Sequence, residues 1–366
     1  MKTVQKSLLA GAVALAFAAP SMAAFTVDLG DQGSISFGGY LKLDARHESG
    51  DFKATSYYRG ASLTPADTSS TAFSMRESRF TTTYKRGATT GYVEFDLYGG
   101  SGNELVSNSE HLRLRQAFIT HGGWKVGQAW TAAMNLIAIP ETVDFGGPIV
   151  GMVFVRQPGI RYSSGGWTFS VENPETYQGG KFGTSGAAAG MTQANAQEST
   201  PDFITSYATS GDWGNIQVNG IVRSIDEGGA KHTATAFGAA AKLKFGQNDV
   251  RMQLNVGEWG RYIGAGQGAE LGDFDGDGNV EMDSTTSYTI AYRHVMGDGW
   301  RTNVFFGGLE GDESGRDRTH FGANIMTTLA PGLTGGLEVG RYSIDDDGGS
   351  ANGENKYLQL MVKMAL

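Results

Sequence analysis

Along most of the chain, apolar and polar positions alternate with a period of two. In residues 34–44, Ile35, Phe37, Leu41 and Leu43 share one phase, and Ser34, Ser36, Tyr40, Lys42 and Asp44 the other. Val93, Phe95 and Leu97 alternate with Glu94, Asp96 and Tyr98, and Val250, Met252, Leu254 and Val256 with Arg251, Gln253 and Asn255. The chain ends the same way, with Leu358, Leu360, Val362, Met364 and Leu366 set against Gln359, Met361 and Lys363. In an extended strand this period makes one apolar and one polar face. A soluble sandwich shows it too, so length must decide. About sixteen such segments of roughly 8–14 residues can be counted, long for a sandwich and right for a tilted membrane-crossing strand.

The connections between them alternate in length. Short ones fall at residues 86–89, 121–123, 164–166, 210–212, 246–247, 296–298 and 330–331. Long ones fall at 47–72, 99–110, 129–158, 173–200, 226–231, 260–284, 310–318 and 344–355, of which only 226–231 is modest. Short turns at one end and long loops at the other predict an all-β fold, a transmembrane antiparallel β-barrel of about sixteen strands. Trp124, Trp167, Trp213 and Trp300 each abut a short turn. A soluble core would hold them mid-strand; at strand ends they fit an aromatic girdle at headgroup level.

Composition removes the competing classes. With 55 Gly and 8 Pro among 366 residues and no Gly-X-Y period, the chain is neither helical nor collagen-like. It has no Cys, so neither disulfides nor thiolate metal sites are available. Residues 1–23 read as a signal peptide: Lys2 and Lys6 precede an apolar run at 8–19, Pro20 breaks it, and Ser21, Met22 and Ala23 form the cleavage site. A retained anchor is the alternative, but that run is too short to span a bilayer as a helix. Residues 24–366 then form the barrel domain, with 27 basic against 38 acidic residues and a net charge of about −11. That balance excludes nucleic acid as a partner.

If apolar positions face lipid, their strand neighbours face the lumen. Arg79 and Lys85 then point inward on the second strand, with Phe80 and Tyr84 outward. Arg113 and Arg115 point inward on the fourth, with Leu112, Leu114 and Phe118 outward. Lys125 and Arg161 follow on the next strands. Such a ladder of cations would attract anions into a narrow pore. Pairing with Glu77, Glu94 and Asp96 into a neutral internal network is the alternative.

The long segment 129–158 carries Trp130, Met134, Pro140, Phe145, Pro148, Met152 and Phe154, too apolar for a loop in water. It is expected to fold into the lumen as a constriction, with Glu141 and Asp144 facing the basic wall; packing against a neighbouring subunit is the alternative. The acidic residues Asp312, Glu313, Asp317 and Asp345–Asp347 fall in outer loops as solvated faces that could share divalent cations with lipopolysaccharide. One loop is more pointed. Asp273, Asp275, Asp277, Asn279 and Glu281 alternate as in a calcium-binding loop, although Ser284 stands where a bidentate carboxylate would close it. No other cofactor is called for. The chain holds no P-loop, HExxH, GxSxG or dinucleotide fingerprint, and an enzyme is not expected.

The runs EFDLYG (residues 94–99), LRLRQAF (112–118), GWKVGQAWT (123–131), IPETVDFGGP (139–148), FVRQPGIRY (154–162) and VENPE (171–175) resemble, in order and spacing, the DcaP-like trimeric outer-membrane porins. The resemblance implies a homotrimer of 16-stranded barrels, a third long loop folded into the pore, and a preference for small anionic solutes. The chain departs from the family pattern in having its first strand soon after Ala24, without a coiled-coil extension, and in ending in Leu366 rather than an aromatic residue. The expected function is passive diffusion of small, carboxylate-like anions across the bacterial outer membrane. The expected partners are its lipid, lipopolysaccharide and the barrel-assembly machinery. A surface-binding barrel with a plugged pore and an outer-membrane hydrolase are the rival readings.

Overall fold

The computed structural model describes residues 25–53, 67–99, 107, 109–174, 199–227, 230–264, 268, 271–272, 281–347 and 352–366; the leader 1–23 lies outside them. The alternating segments become sixteen antiparallel strands. They are β1 (Ser34–Gly50), β2 (Thr68–Ser74 continued by Arg79–Arg86), β3 (Thr89–Asp96), β4 (Arg113–His121), β5 (Trp124–Trp130), β6 (Arg156–Ser164), β7 (Trp167–Glu172) and β8 (Asp202–Gly211). The second half holds β9 (Gly214–Glu227), β10 (Ala230–Phe245), β11 (Asn248–Gly257), β12 (Thr285–Gly297), β13 (Trp300–Gly311), β14 (Asp317–Ala330), β15 (Leu333–Ile344) and β16 (Gly353–Ala365). Each pairs with the next, and β16 pairs with β1, Tyr40 opposite Ala365, which closes the sheet. A short N-terminal strand, Phe25–Asp28, pairs with Ser34–Phe37 on the edge of β1 that β16 leaves open. Closure joins the first wall strand to the last, so the sheet has no free terminal strand to present to hydrocarbon.

The barrel is apolar outside and polar inside. Leu254, Val256, Leu358 and Leu360 are exposed, while Gln253, Asn255 and Gln359 between them are buried. Trp124, Trp167, Trp213 and Trp300 are exposed beside the short turns, whereas Trp130 and Trp259 are buried in the lumen.

Two irregularities adjust this phase. Residues 75–78 break β2 by one extra residue, and the Ser78 hydroxyl accepts the Lys42 amide at 3.0 Å. On β4, Gln116 faces Glu94 but Leu114 faces Phe95, so Arg115 is an inserted residue without a β3 partner. A bulge of this kind turns everything beyond it to the opposite face. Phe118, expected outward, therefore points inward and stacks on Tyr92 at 5.0 Å, and Ile119 takes its place toward lipid.

Candidate functional site

The connection from β5 to β6 fills much of the lumen. Its backbone cannot join the wall ladder, so its polar groups need other partners. The Asn135 side chain caps the 3-10 turn Leu136–Ala138 by accepting two amides, each at 3.0 Å. Inward side chains of the wall meet the rest. Asn219 donates to the Ala133 carbonyl, Asn324 to that of Glu141, and Lys42 to that of Val143. Arg251 reaches Ile139, and a His320 ring nitrogen lies 2.9 Å from the Gly147 carbonyl. The Val143 and Asp144 amides donate to the Glu338 carboxylate at 2.7 and 3.1 Å, which also accepts from Tyr357 and Asn324. Val143 itself sits on Met326 and Met361, apolar residues on the otherwise polar inner phase. Close approach completes the seat: a Cβ at Gly307 would lie 2.7 Å from that of Pro148.

These anchors run along the wall from β9 round to β1, while toward β2–β4 the loop turns the Phe145 ring, set against Arg113 and Arg115. Charges concentrate there. Arg113 donates through Nε and Nη2 to Asp96 at 2.9 and 2.6 Å, and Arg115 joins Asp96 at 2.7 Å and Glu94. Arg79 lies 3.6 Å from Glu94. Facing them from the loop is Phe145, its ring 5.5 Å from the Arg115 guanidinium and 4.8 Å from the Tyr98 ring. Trp130 and Phe154, edge to face at 5.0 Å, flank the loop stem. The aromatic edge of the loop thus packs against this basic stretch of the wall.

The remaining candidates are dispersed. Arg161 is buried and holds the loop stem, donating to the Trp130 carbonyl and to Ser170, with Glu172 at 3.1 Å. Lys125 lies over the Phe118 ring at 4.7 Å, and Lys85 is exposed near a short turn. Glu141 and Asp144 do not face Arg79, Arg113 or Arg115. Glu141 pairs with Arg301 of β13 at 2.8 Å and Asp144 with Arg46 of β1 at 2.7 Å, because the loop turns its acidic residues to the wall that anchors it.

Sequence reasoning passed over several cations. Asp249, fully buried on β11, is shared by Arg251 at 2.6 Å, Arg293 at 2.7 Å and Lys242 at 3.9 Å. Arg251 was legible on the polar phase of its strand. Arg156, which like Arg115 lies against the Trp130 ring (4.3 and 5.8 Å to its centroid), was hidden because residues up to 158 read as loop. Asp273, Asp275, Asp277 and Asn279 lie outside the described residues. Glu281 is described only as backbone, in a two-stranded pair of Leu271–Gly272 with Glu281–Met282. Among the described residues no cluster of His, Asp or Glu could hold a metal.

Comparison with known proteins follows the same lines. The structure is similar to the outer membrane channel DcaP of Acinetobacter baumannii, with a TM-score of 0.79 and 16% identity over 94% of this chain and 100% of that one. It is also similar to a loop-deleted OmpT of Vibrio cholerae, TM-score 0.56 at 11% identity over 91% of this chain and 100% of the other. An anion-selective porin from Comamonas acidovorans gives 0.55 at 12% over the same shares. No curated protein matches the chain significantly. The porin subfamily model matches residues 30–357, and with the closed barrel around an inward loop the chain belongs to that subfamily, as a passive channel of the bacterial outer membrane and not an enzyme.

Proposed function

We propose that this channel favours small anions, carboxylates above all, over cations and neutral solutes. The observation that carries this reading is an excess of cationic over anionic side chains at two stretches of the inner wall. Arg79, Arg113, Arg115 and Arg156 gather around Glu94 and Asp96, and Lys242, Arg251 and Arg293 around Asp249 alone. The acids of the inward loop do not offset it, since Arg301 and Arg46 already hold Glu141 and Asp144. A pore wall on which cationic side chains outnumber the carboxylates they pair with attracts anions. Part of the chain's acidity, at Asp312, Glu313 and Asp345–Asp347, lies at the outer ends of the strands, where physiological salt screens it with a Debye length of roughly 8 Å. The fold is shared with an anion-selective porin from Comamonas acidovorans, which supports the reading.

The decisive measurement is the reversal potential of single channels under a KCl gradient. Anion selectivity is expected, and Arg113→Ala should lower it by removing one of the two guanidinium charges set against Asp96. Cation selectivity of the native channel at high salt refutes the reading. As a homo-oligomer, the barrel is proposed to be a trimer, in keeping with the family it resembles. We further propose that the leader 1–23 is removed on export, that the barrel-assembly machinery inserts the chain, and that lipopolysaccharide surrounds its outer loops.

A further inference from the structure

The guanidinium groups of the eyelet differ in what their donors have left to give. The outward edge of Arg113, Nε and Nη2, is spent on Asp96, and Arg115 is divided between Glu94 and Asp96. Arg161 is committed to the loop stem. Arg156 is not committed. Among the described residues its side chain makes no hydrogen bond and no ion pair, and its Nη1 is buried without a partner. The charges that act on it are those of Arg115, Arg113 and Arg79, opposed by Glu94.

Its position has a local cause. β4 and β5 stop pairing at Ala117 and Gln128, so Ala129 and Trp130 leave the wall and bend inward, with Arg156 directly opposite Trp130 across the stem. Strand phase alone would send both residues outward with Val126 and Ile160, which are exposed. Instead Trp130 is buried, and the Arg156 guanidinium lies 4.3 Å from its ring centroid. A guanidinium held over an aromatic ring keeps its donors free, because those donors point along its own plane.

We propose that Arg156 is the carboxylate-binding residue of the eyelet, presenting its Nε–Nη2 edge, the edge that is not buried, to the passing solute beside Trp130. The paired arginines Arg79, Arg113 and Arg115 supply the attracting field, and Arg156 supplies the two-point contact. A carboxylate accepts two parallel N–H bonds from such a fork, which chloride cannot do. The assignment rests on the anion-favouring reading above and names the atom group that would turn attraction into recognition.

The test uses the purified full channel in planar bilayers, carrying KCl current, with potassium succinate added to one side. The native channel is expected to show a saturable loss of chloride current. Arg156→Lys keeps the charge and loses the fork. It should retain the KCl reversal potential while the half-blocking succinate concentration rises about tenfold, the loss of one charge-assisted hydrogen bond. Arg156→Gln should weaken both. A native current indifferent to succinate overturns the proposal without any variant, and so does Arg156→Lys blocked at the native concentration. Cation selectivity of the native channel in KCl alone overturns the underlying anion reading, a separate failure from these two.

Discussion

The seat of the inward loop on Glu338 offers a sharp test of what holds the constriction in place. Glu338 is fully buried and accepts from four donors: the Val143 and Asp144 amides, Asn324 Nδ2 and the Tyr357 hydroxyl. Glu338→Ala removes all four acceptor contacts, but the consequences are unequal. Asn324 still has the Glu141 carbonyl at 3.0 Å, and Tyr357 still has a His320 nitrogen at 3.0 Å. The two loop amides lose the carboxylate that accepts them. A buried donor left unmet costs about 1–3 kcal/mol, so the loop tip loses about 2–6 kcal/mol. None of this falls on the wall ladder, which remains paired through β14–β16. The loss is therefore expected as motion of residues 143–147 toward lumen water, not as unfolding. Single-channel recordings should show raised open-channel noise and a higher mean conductance, with heat-modifiable migration in gels unchanged. Glu338→Gln, with one oxygen for two amides, should fall between. Quiet native-like traces from Glu338→Ala would refute the idea that this carboxylate fixes the loop.

Two shorter tests address the phase of the wall and the assembly. Ile119→Arg places a charge on the lipid face near a short turn, at a cost on the order of 1–2 kcal/mol, and should lower the yield of inserted barrel. Phe118→Arg enters the lumen and should insert better than Ile119→Arg; the reverse order would place the β4 bulge wrongly. The proposed trimer should persist in mild detergent, and a native mass of a single chain would count against it.

Much of the barrel is written in the alternation itself. Gln253 and Asn255 inside with Leu254 and Val256 outside need only a period of two, and the turn lengths need only counting. What the pattern hides are places where the backbone departs from that period. The extra residue at Arg115 reverses Phe118 and Ile119, yet a bulge leaves no mark in residue type. Arg156 fails for a related reason, since its strand leaves the wall and phase no longer says which way a side chain points. The apolar loop betrayed its shelter through Phe145 and Met152, but which wall it leans on did not follow. That depended on inward Met326 and Met361, whose phase among Asn324 and Gln359 was the available signal. Asp346, read as part of a solvated acidic run, instead pairs with Arg318 at 2.6 Å.

The seam between β1 and β16 constrains the order of events in biogenesis. Hairpins such as β9–β10 join residues adjacent in time as the chain emerges, and they can zip as soon as both strands are present. The seam joins Tyr40 to Ala365, and Phe25 lies opposite Phe37 in the same row, so the first and last described strands meet there. Contacts so distant in sequence form late, because the ordering of the intervening chain must come first. Until then an incomplete barrel carries two unsatisfied strand edges, the condition under which β chains pair with the wrong neighbour. A truncation that removes β16 would leave β1 open along most of its length, and such a chain should accumulate as an aggregate in the periplasm, not as a smaller pore.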